Sequence, residues 1–116
     1  MLATTQDLTI NFNRDGYAKI DLSNWDFCVA HFIGISGAIS FLTSNDAGAI
    51  TGVTDGNATS ATNFVAVQGT NLSTGVAGTS AATSTLYRFN NIGRFLELSG
   101  AGVTATKLIL YLSKIS

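Results

Sequence analysis

The stretch that decides the fold is residues 86–115, LYRFNNIGRFLELSGAGVTATKLILYLSKI. It holds three short runs rich in aromatic and branched residues, at 86–89, 94–98 and 106–115. The segments between them contain Asn and Gly, which favour tight turns. Runs of this length bounded by such turns predict β-strands, and none repeats with the period of a helix.

The same rhythm extends towards the amino terminus. The Asp15-Gly16 pair between two alternating runs is a strong hairpin signal. Residues 72–84 are ambiguous between an edge strand and a loop. We therefore expect an all-β fold of about eight strands, a single antiparallel, jelly-roll-like β-sandwich forming one domain over residues 1–116. The further predicted strands lie at 9–13, 17–22, 25–35, 38–43, 49–53 and 63–68.

The composition excludes several classes of protein. Charged residues make up 11% of the chain, proline is absent and the net charge is −1. No basic stripe is present to neutralise phosphates, so nucleic-acid binding is not expected. The apolar run 27–42 is too short for a membrane span, and we read it as two buried strands. No secretion signal is evident at the start, and such a sparsely charged surface favours assembly.

Cys28 and His31 are the one cysteine and the one histidine. Three positions apart on a strand, they point to opposite faces, so they cannot form a catalytic pair. We expect a small buried thiol beside a packed or interface histidine. A single chain with one of each cannot build a usual zinc site, so we expect no metal and no cofactor.

The carboxylates offer a weak case for an enzyme. Asp46, Asp55 and Glu97 would be the candidates for a small hydrolase, although no hydrolase motif accompanies them. Asp46 and Asp55 lie beside Gly or Asn in turns, where Asp is favoured for backbone reasons, and calcium binding is the less favoured alternative. The sequence thus predicts a protein that is not an enzyme.

The last strand is apolar on both of its faces, which indicates either a central position or a subunit interface. We predict a homo-oligomer, with a trimer as the favoured form, because a closed ring buries an exposed apolar strand economically. The residues expected at contacts are Ile109, Tyr111 and Ile115, with Trp25 and Phe27 as alternates.

Several blocks of the sequence resemble a small β-sandwich found among structural proteins of tailed bacteriophages. The resemblance rests on composition and strand rhythm over roughly the last two thirds of the chain. The matching blocks are ITGVTDGNAT at 50–59, NFVAVQGTNL at 63–72, GRFLEL at 93–98 and GVTATKLIL at 102–110.

This resemblance implies a virion component, made in the host cytoplasm, with a head decoration (auxiliary capsid) protein as the most similar type. Its implied partners are other virion proteins, such as the major capsid protein. The alternative is a carbohydrate- or receptor-binding module on a tail or fibre. That module would use Trp25, Tyr87 and the loops at 46–62 as its recognition surface.

Overall fold

The computed structural model describes residues 2–45, 64–90 and 92–115. These residues form eleven β-strands and one short helix. The elements, in chain order, are β1 Leu2–Asp7, α1 Thr9–Asp15, β2 Tyr17–Asp21, β3 Phe27–Ile33, β4 Ile39–Ser44, β5 Val65–Ala66, β6 Gly69–Asn71, β7 Ala77–Gly78, β8 Ser80–Ala81, β9 Thr85–Asn90, β10 Phe95–Ser99 and β11 Lys107–Lys114.

The strands form two antiparallel sheets that pack into a sandwich. One sheet has six strands in the order β1-β11-β3-β9-β6-β7, and the other has the order β2-β10-β4-β5, with β8 beside β4. The pairs β1·β11, β2·β10, β3·β9 and β4·β5 are nested, as if one long hairpin had been rolled up. This is the jelly-roll arrangement of eight strands, with β6, β7 and β8 as short additions. The predicted all-β sandwich is confirmed.

The core lies between the two sheets and follows the two-residue period of each strand. From β3, Cys28, Ala30 and Phe32 point inward and are fully buried. An aromatic cluster fills the middle, and the ring centroids of Phe41 and Phe89 lie 4.8 Å apart in an edge-to-face arrangement. Phe32 and Tyr87 belong to the same cluster. A close approach between the chain and this cluster explains Gly69, because a Cβ there would lie 2.6 Å from the Phe89 ring.

The predicted strand at 9–13 is wrong: Thr9–Asp15 is the helix α1. The apolar residues Ile10 and Phe12 suggested an alternating strand, but Ile10 is 79% exposed. The buried pair is instead Leu8 and Phe12, which are four residues apart and so share one helical face. Gly16 ends the helix with a φ of 80°, a left-handed conformation that glycine adopts readily. The strand in this region is β1, which precedes the helix.

Contacts to distant residues hold α1 in place. The Asn13 side-chain amide donates to the carbonyl oxygen of Ala105 at 2.9 Å and accepts from the Ala105 N–H at 2.8 Å. The Thr9 hydroxyl accepts from the Leu108 N–H at 2.9 Å. Local propensity alone does not settle a seven-residue segment, and these tertiary bonds favour the helix.

Most other predicted strands are present with shifted ends. The segment predicted at 63–68 contributes only the two residues of β5, and the ambiguous tract 72–84 contains the two-residue strands β7 and β8. The strand predicted at 49–53 and the loop residues 46–62 lie outside the described residues.

A candidate interaction surface on the six-stranded sheet

The six-stranded sheet turns one side towards the core and the other towards solvent. We call the solvent side the outer face. In register across β11, β3 and β9, Ile109 lies opposite His31, which lies opposite Leu86. One step along the strands, Tyr111 lies opposite Val29. These side chains alternate with the buried ones, so they share the outer face.

Large apolar side chains dominate this face. Tyr111 is 42% exposed, and Leu72 is 44% exposed. Leu72 extends the face beyond β9, because its N–H donates to the carbonyl oxygen of Leu86 at 2.9 Å. Contiguous apolar residues on a solvent face indicate an interaction site rather than random exposure. The half-buried or exposed apolar side chains on the outer face are Phe27, Val29, Ile33, Leu72, Leu86, Ile109 and Tyr111.

The charged groups of the outer face are mostly cationic. Lys107 and Arg88 are exposed there. Asp7, at the β1 margin, is the one acidic residue on the described part of this face. Hydrogen bonds from the Thr9 hydroxyl and N–H hold the pKa of Asp7 below its ordinary value, and nearby Lys107 lowers it further. The face therefore suits an apolar partner with acidic groups at its margin.

The structure brings together three of the five residues predicted at contacts. Ile109, Tyr111 and Phe27 all lie on the outer face. Ile115 follows the end of β11 and is 67% exposed, and its N–H donates to the Asp26 carboxylate. Trp25 is only partly buried and packs against the core cluster, away from the centre of the outer face.

The contact residues predicted from the sequence did not include four members of the outer face. Val29 and Ile33 alternate with buried residues of β3, so the two-residue period that was applied to His31 also locates them. Leu86 and Leu72 needed the register between β9 and β6. No local pattern gives the register of strands that are distant in the sequence.

The structure separates Cys28 from His31, as the spacing predicts. Cys28 is buried between the sheets and His31 is exposed on the outer face, so of the two alternatives predicted for His31, packed or interface, the packed one is wrong and the interface one stays a prediction. Burial raises the pKa of the Cys28 thiol to about 12. At neutral pH this cysteine is a protonated, inert core residue.

The carboxylates proposed for a hydrolase do not form a site in the described residues. Asp46 and Asp55 lie outside those residues. Glu97 is fully buried on β10, with its Oε1 atom 3.9 Å from the Lys19 Nζ atom of β2. Within residues 2–45, 64–90 and 92–115, no group of three His, Cys, Asp or Glu residues is placed to hold a metal ion. No helix in the same ranges is long and apolar enough to span a bilayer.

The recognition surface suggested for a carbohydrate-binding module loses one of its residues. Tyr87 points into the core, is only 8% exposed and packs against Phe32 and Phe41. Its strand position, opposite Ala30 of β3, places it on the inner side of the sheet. Tyr87 is therefore a core residue and cannot stack on a sugar.

The fold and the outer face together define a small jelly-roll sandwich with one exposed apolar side and no described catalytic cluster. Among solved structures, the chain is similar to the crystal structure of SPBc2 prophage-derived protein YomS, with a TM-score of 0.62. The match covers 97% of this chain and 94% of that chain at 12% sequence identity, so it establishes a shared fold. No protein-family model and no curated sequence matches the chain.

Proposed function

We propose that the protein is a structural subunit of a bacteriophage virion, a decoration subunit that binds the head shell through its outer face. The observation that carries this proposal is the set of apolar side chains that surround exposed His31 on the outer sides of β11, β3 and β9. The shared fold with a prophage-derived protein supports the phage setting. In this proposal the protein works by adhesion and has no catalytic role.

The apolar side chains supply the adhesive energy. Full burial of a large apolar side chain contributes roughly 1.5–3 kcal/mol, and those on the outer face are already partly buried. Seven such residues would together contribute on the order of 5–10 kcal/mol before the costs of association. A single subunit would thus bind modestly. Many subunits on a symmetric shell would hold it together through repeated contacts.

Charge selects the partner surface. Lys107 and Arg88 flank the apolar centre of the outer face, and Asp7 lies at one edge. Two outer faces packed against each other would bring like charges together, which disfavours self-association through this surface. A shell protein that presents apolar and acidic side chains would complement both the apolar residues and the cationic residues of the outer face. The homo-oligomer expected from the sequence stays part of the proposal and would use other surfaces, and the trimer favoured there stays a prediction.

The test is co-sedimentation with head shells purified from the phage that carries the gene. We expect Tyr111→Glu to weaken shell binding at least tenfold, because the variant would bury an unpaired charge in the contact. The matched control is Ile10→Glu, which replaces an even more exposed apolar residue on α1, outside the outer face.

Two results would overturn the proposal. One is a wild-type protein that does not sediment with any shell preparation. The other is equal shell binding by the Tyr111 and Ile10 variants, which would show that the outer face is not the contact surface. Circular dichroism of both variants establishes that they are folded.

The rival reading, a carbohydrate- or receptor-binding module, has weaker support in the described residues. Tyr87 is in the core, and Trp25 packs against it. A glycan array would favour this reading only if the wild type bound a sugar and Trp25→Ala lost that binding while still folded.

A further inference from the structure

As formed by the described residues, the two sheets have four edges, which differ in how they are protected. Natural sheets shorten, cover or charge their edge strands, because unpaired N–H and C=O groups invite pairing with another chain. Here the edge strands β5 and β7 have two residues each, and β2 has α1 packed against it. β1 has six residues, and all six pair in unbroken register with β11, the neighbouring strand of the sheet.

β1 carries a single charged residue, Asp7 at its end, and otherwise lacks the usual protective features. Five of its six residues are exposed, and the strand contains no proline, lysine or bulge. The N–H of Leu8, just after the strand, donates to the carbonyl oxygen of Leu108 at 2.8 Å. Antiparallel pairing alternates, so Ala3, Thr5 and Asp7 direct their N–H and C=O groups away from β11. No strand of the described residues pairs with these groups, so within that part of the chain the three residues form an open edge.

We propose that β1 pairs antiparallel with β1 of a second copy of this chain, with Thr5 on the two-fold axis between them. Thr5 then lies opposite Thr5 of the other copy, and Ala3 lies opposite Asp7. All three open residues exchange hydrogen bonds in this register, giving about six bonds across the axis. A register centred on a residue next to Thr5 would form fewer of these hydrogen bonds.

Charge and side-chain chemistry favour this self-pairing. The two Asp7 carboxylates would lie about 14 Å apart along the ribbon, at roughly 3.4 Å per residue, which exceeds the screening length in physiological salt. A register that placed Asp7 opposite Asp7 would set like charges directly across from each other. Facing threonines are a favourable cross-strand pair. The strand is thus complementary to its own copy.

The pairing would join the two six-stranded sheets into one and extend the outer face across both copies. It deepens the proposed function, and it rests on that proposal only in treating the protein as a subunit that assembles. The edge contact uses backbone groups of β1, whereas the shell contact uses side chains of the outer face. The two contacts can therefore be broken separately.

The first test is a covalent cross-link across the axis. Thr5→Cys would place two thiols on facing residues whose Cα atoms lie about 5.5 Å apart, within reach of a short bifunctional thiol reagent. We expect a covalent dimer after treatment with a short bis-maleimide, visible on a denaturing gel. Ser73→Cys is the control, because Ser73 is also exposed but lies in the turn after β6. Equal amounts of dimer from both variants, or none from either, would overturn the proposal.

The second test removes one donor. Thr5→Pro deletes the N–H that points to the open edge and leaves the hydrogen bonds to β11 in place, whereas Thr5→Val keeps the N–H. By analytical ultracentrifugation we expect the proline variant to self-associate about 10- to 30-fold more weakly, and the valine variant to behave as the wild type. Unchanged association of a folded Thr5→Pro variant would overturn the pairing. Shell binding retained by that variant would leave the proposed function standing.

Discussion

Each of the two sheets turns one face away from the core, and these two faces differ in how far their side chains are exposed to solvent. On the five-stranded sheet, Tyr17, Phe95 and Glu97 point away from the core, yet they are at most 3% exposed. We call this the covered face. On the outer face of the six-stranded sheet, residues at equivalent alternating positions remain half-buried or exposed.

The covered face is protected by its own chain. The ring centroid of Phe64 lies 5.5 Å from the Lys19 Nζ atom, and that of Tyr17 lies 5.3 Å from it, so the cation is held between aromatic rings. Beneath them Lys19 faces Glu97. No comparable segment among the described residues lies over Tyr111 or Ile109. The comparison indicates that apolar residues on the covered face stabilise the monomer, whereas those on the outer face stay accessible and are the ones we propose for partner contact.

The largest expected effect compares one aromatic residue from each face. Phe95 is 1% exposed on the covered face, whereas Tyr111 is 42% exposed on the outer face. We expect Phe95→Ala to lower the free energy of unfolding by about 4 kcal/mol and Tyr111→Ala by about 1 kcal/mol, because only the first leaves a cavity. Urea unfolding followed by circular dichroism measures both. Equal losses would remove the distinction between the faces.

The next effect concerns the buried ion pair. Lys19→Met would remove the cation beside the buried Glu97 carboxylate, and we expect a loss of about 3 kcal/mol in unfolding free energy. The control is Arg94→Met, whose pair with Asp21 is about half exposed and contributes under about 1 kcal/mol.

A double variant sharpens this test. Lys19→Met with Glu97→Leu replaces both charges by apolar groups, and we expect it to recover most of the lost stability. If the Lys19 variant unfolded like the Arg94 control, the pair would contribute no more than a surface contact. The covered face would then be stabilised by its aromatic residues alone.

The sequence predicted the architecture well where strands are long and alternate regularly. The observed strands β3, β10 and β11 fall inside or within one residue of predicted runs, and the inward direction of Cys28 follows from strand periodicity. The helix α1 was missed because Leu8 and Phe12 carry the buried face, while Ile10 produced a false alternation. The bonds that decide this segment reach Ala105 and Leu108, almost a hundred residues away.

The outer face was predictable only in part, for the same reason. Periodicity places Ile109 and Tyr111 on one side of β11, but it does not say whether that side meets the core or solvent. Nested pairing of distant strands decides the matter, since it puts β11 between β1 and β3 and sets Tyr111 opposite Val29. The open edge of β1 was invisible for the same reason, because the strand itself was not predicted.

The smallest expected effect lies at the margin of the outer face. The lowered pKa of Asp7 means that its charged form stabilises the folded protein, through hydrogen bonds from Thr9 and attraction to Lys107. This contribution is present above the ordinary carboxyl pKa of about 4 and is lost as the pH falls through the lower folded value. We therefore expect Asp7→Asn to melt slightly below the wild type at pH 7, with the two melting curves converging below about pH 3. Asp7→Glu keeps the charge but shifts the carboxylate away from Thr9. Its melting temperature at pH 7 should therefore fall between those of the wild type and Asp7→Asn. A melting difference that stayed constant down to pH 2 would show that the side-chain shape, not its charge, is what this margin of the outer face requires.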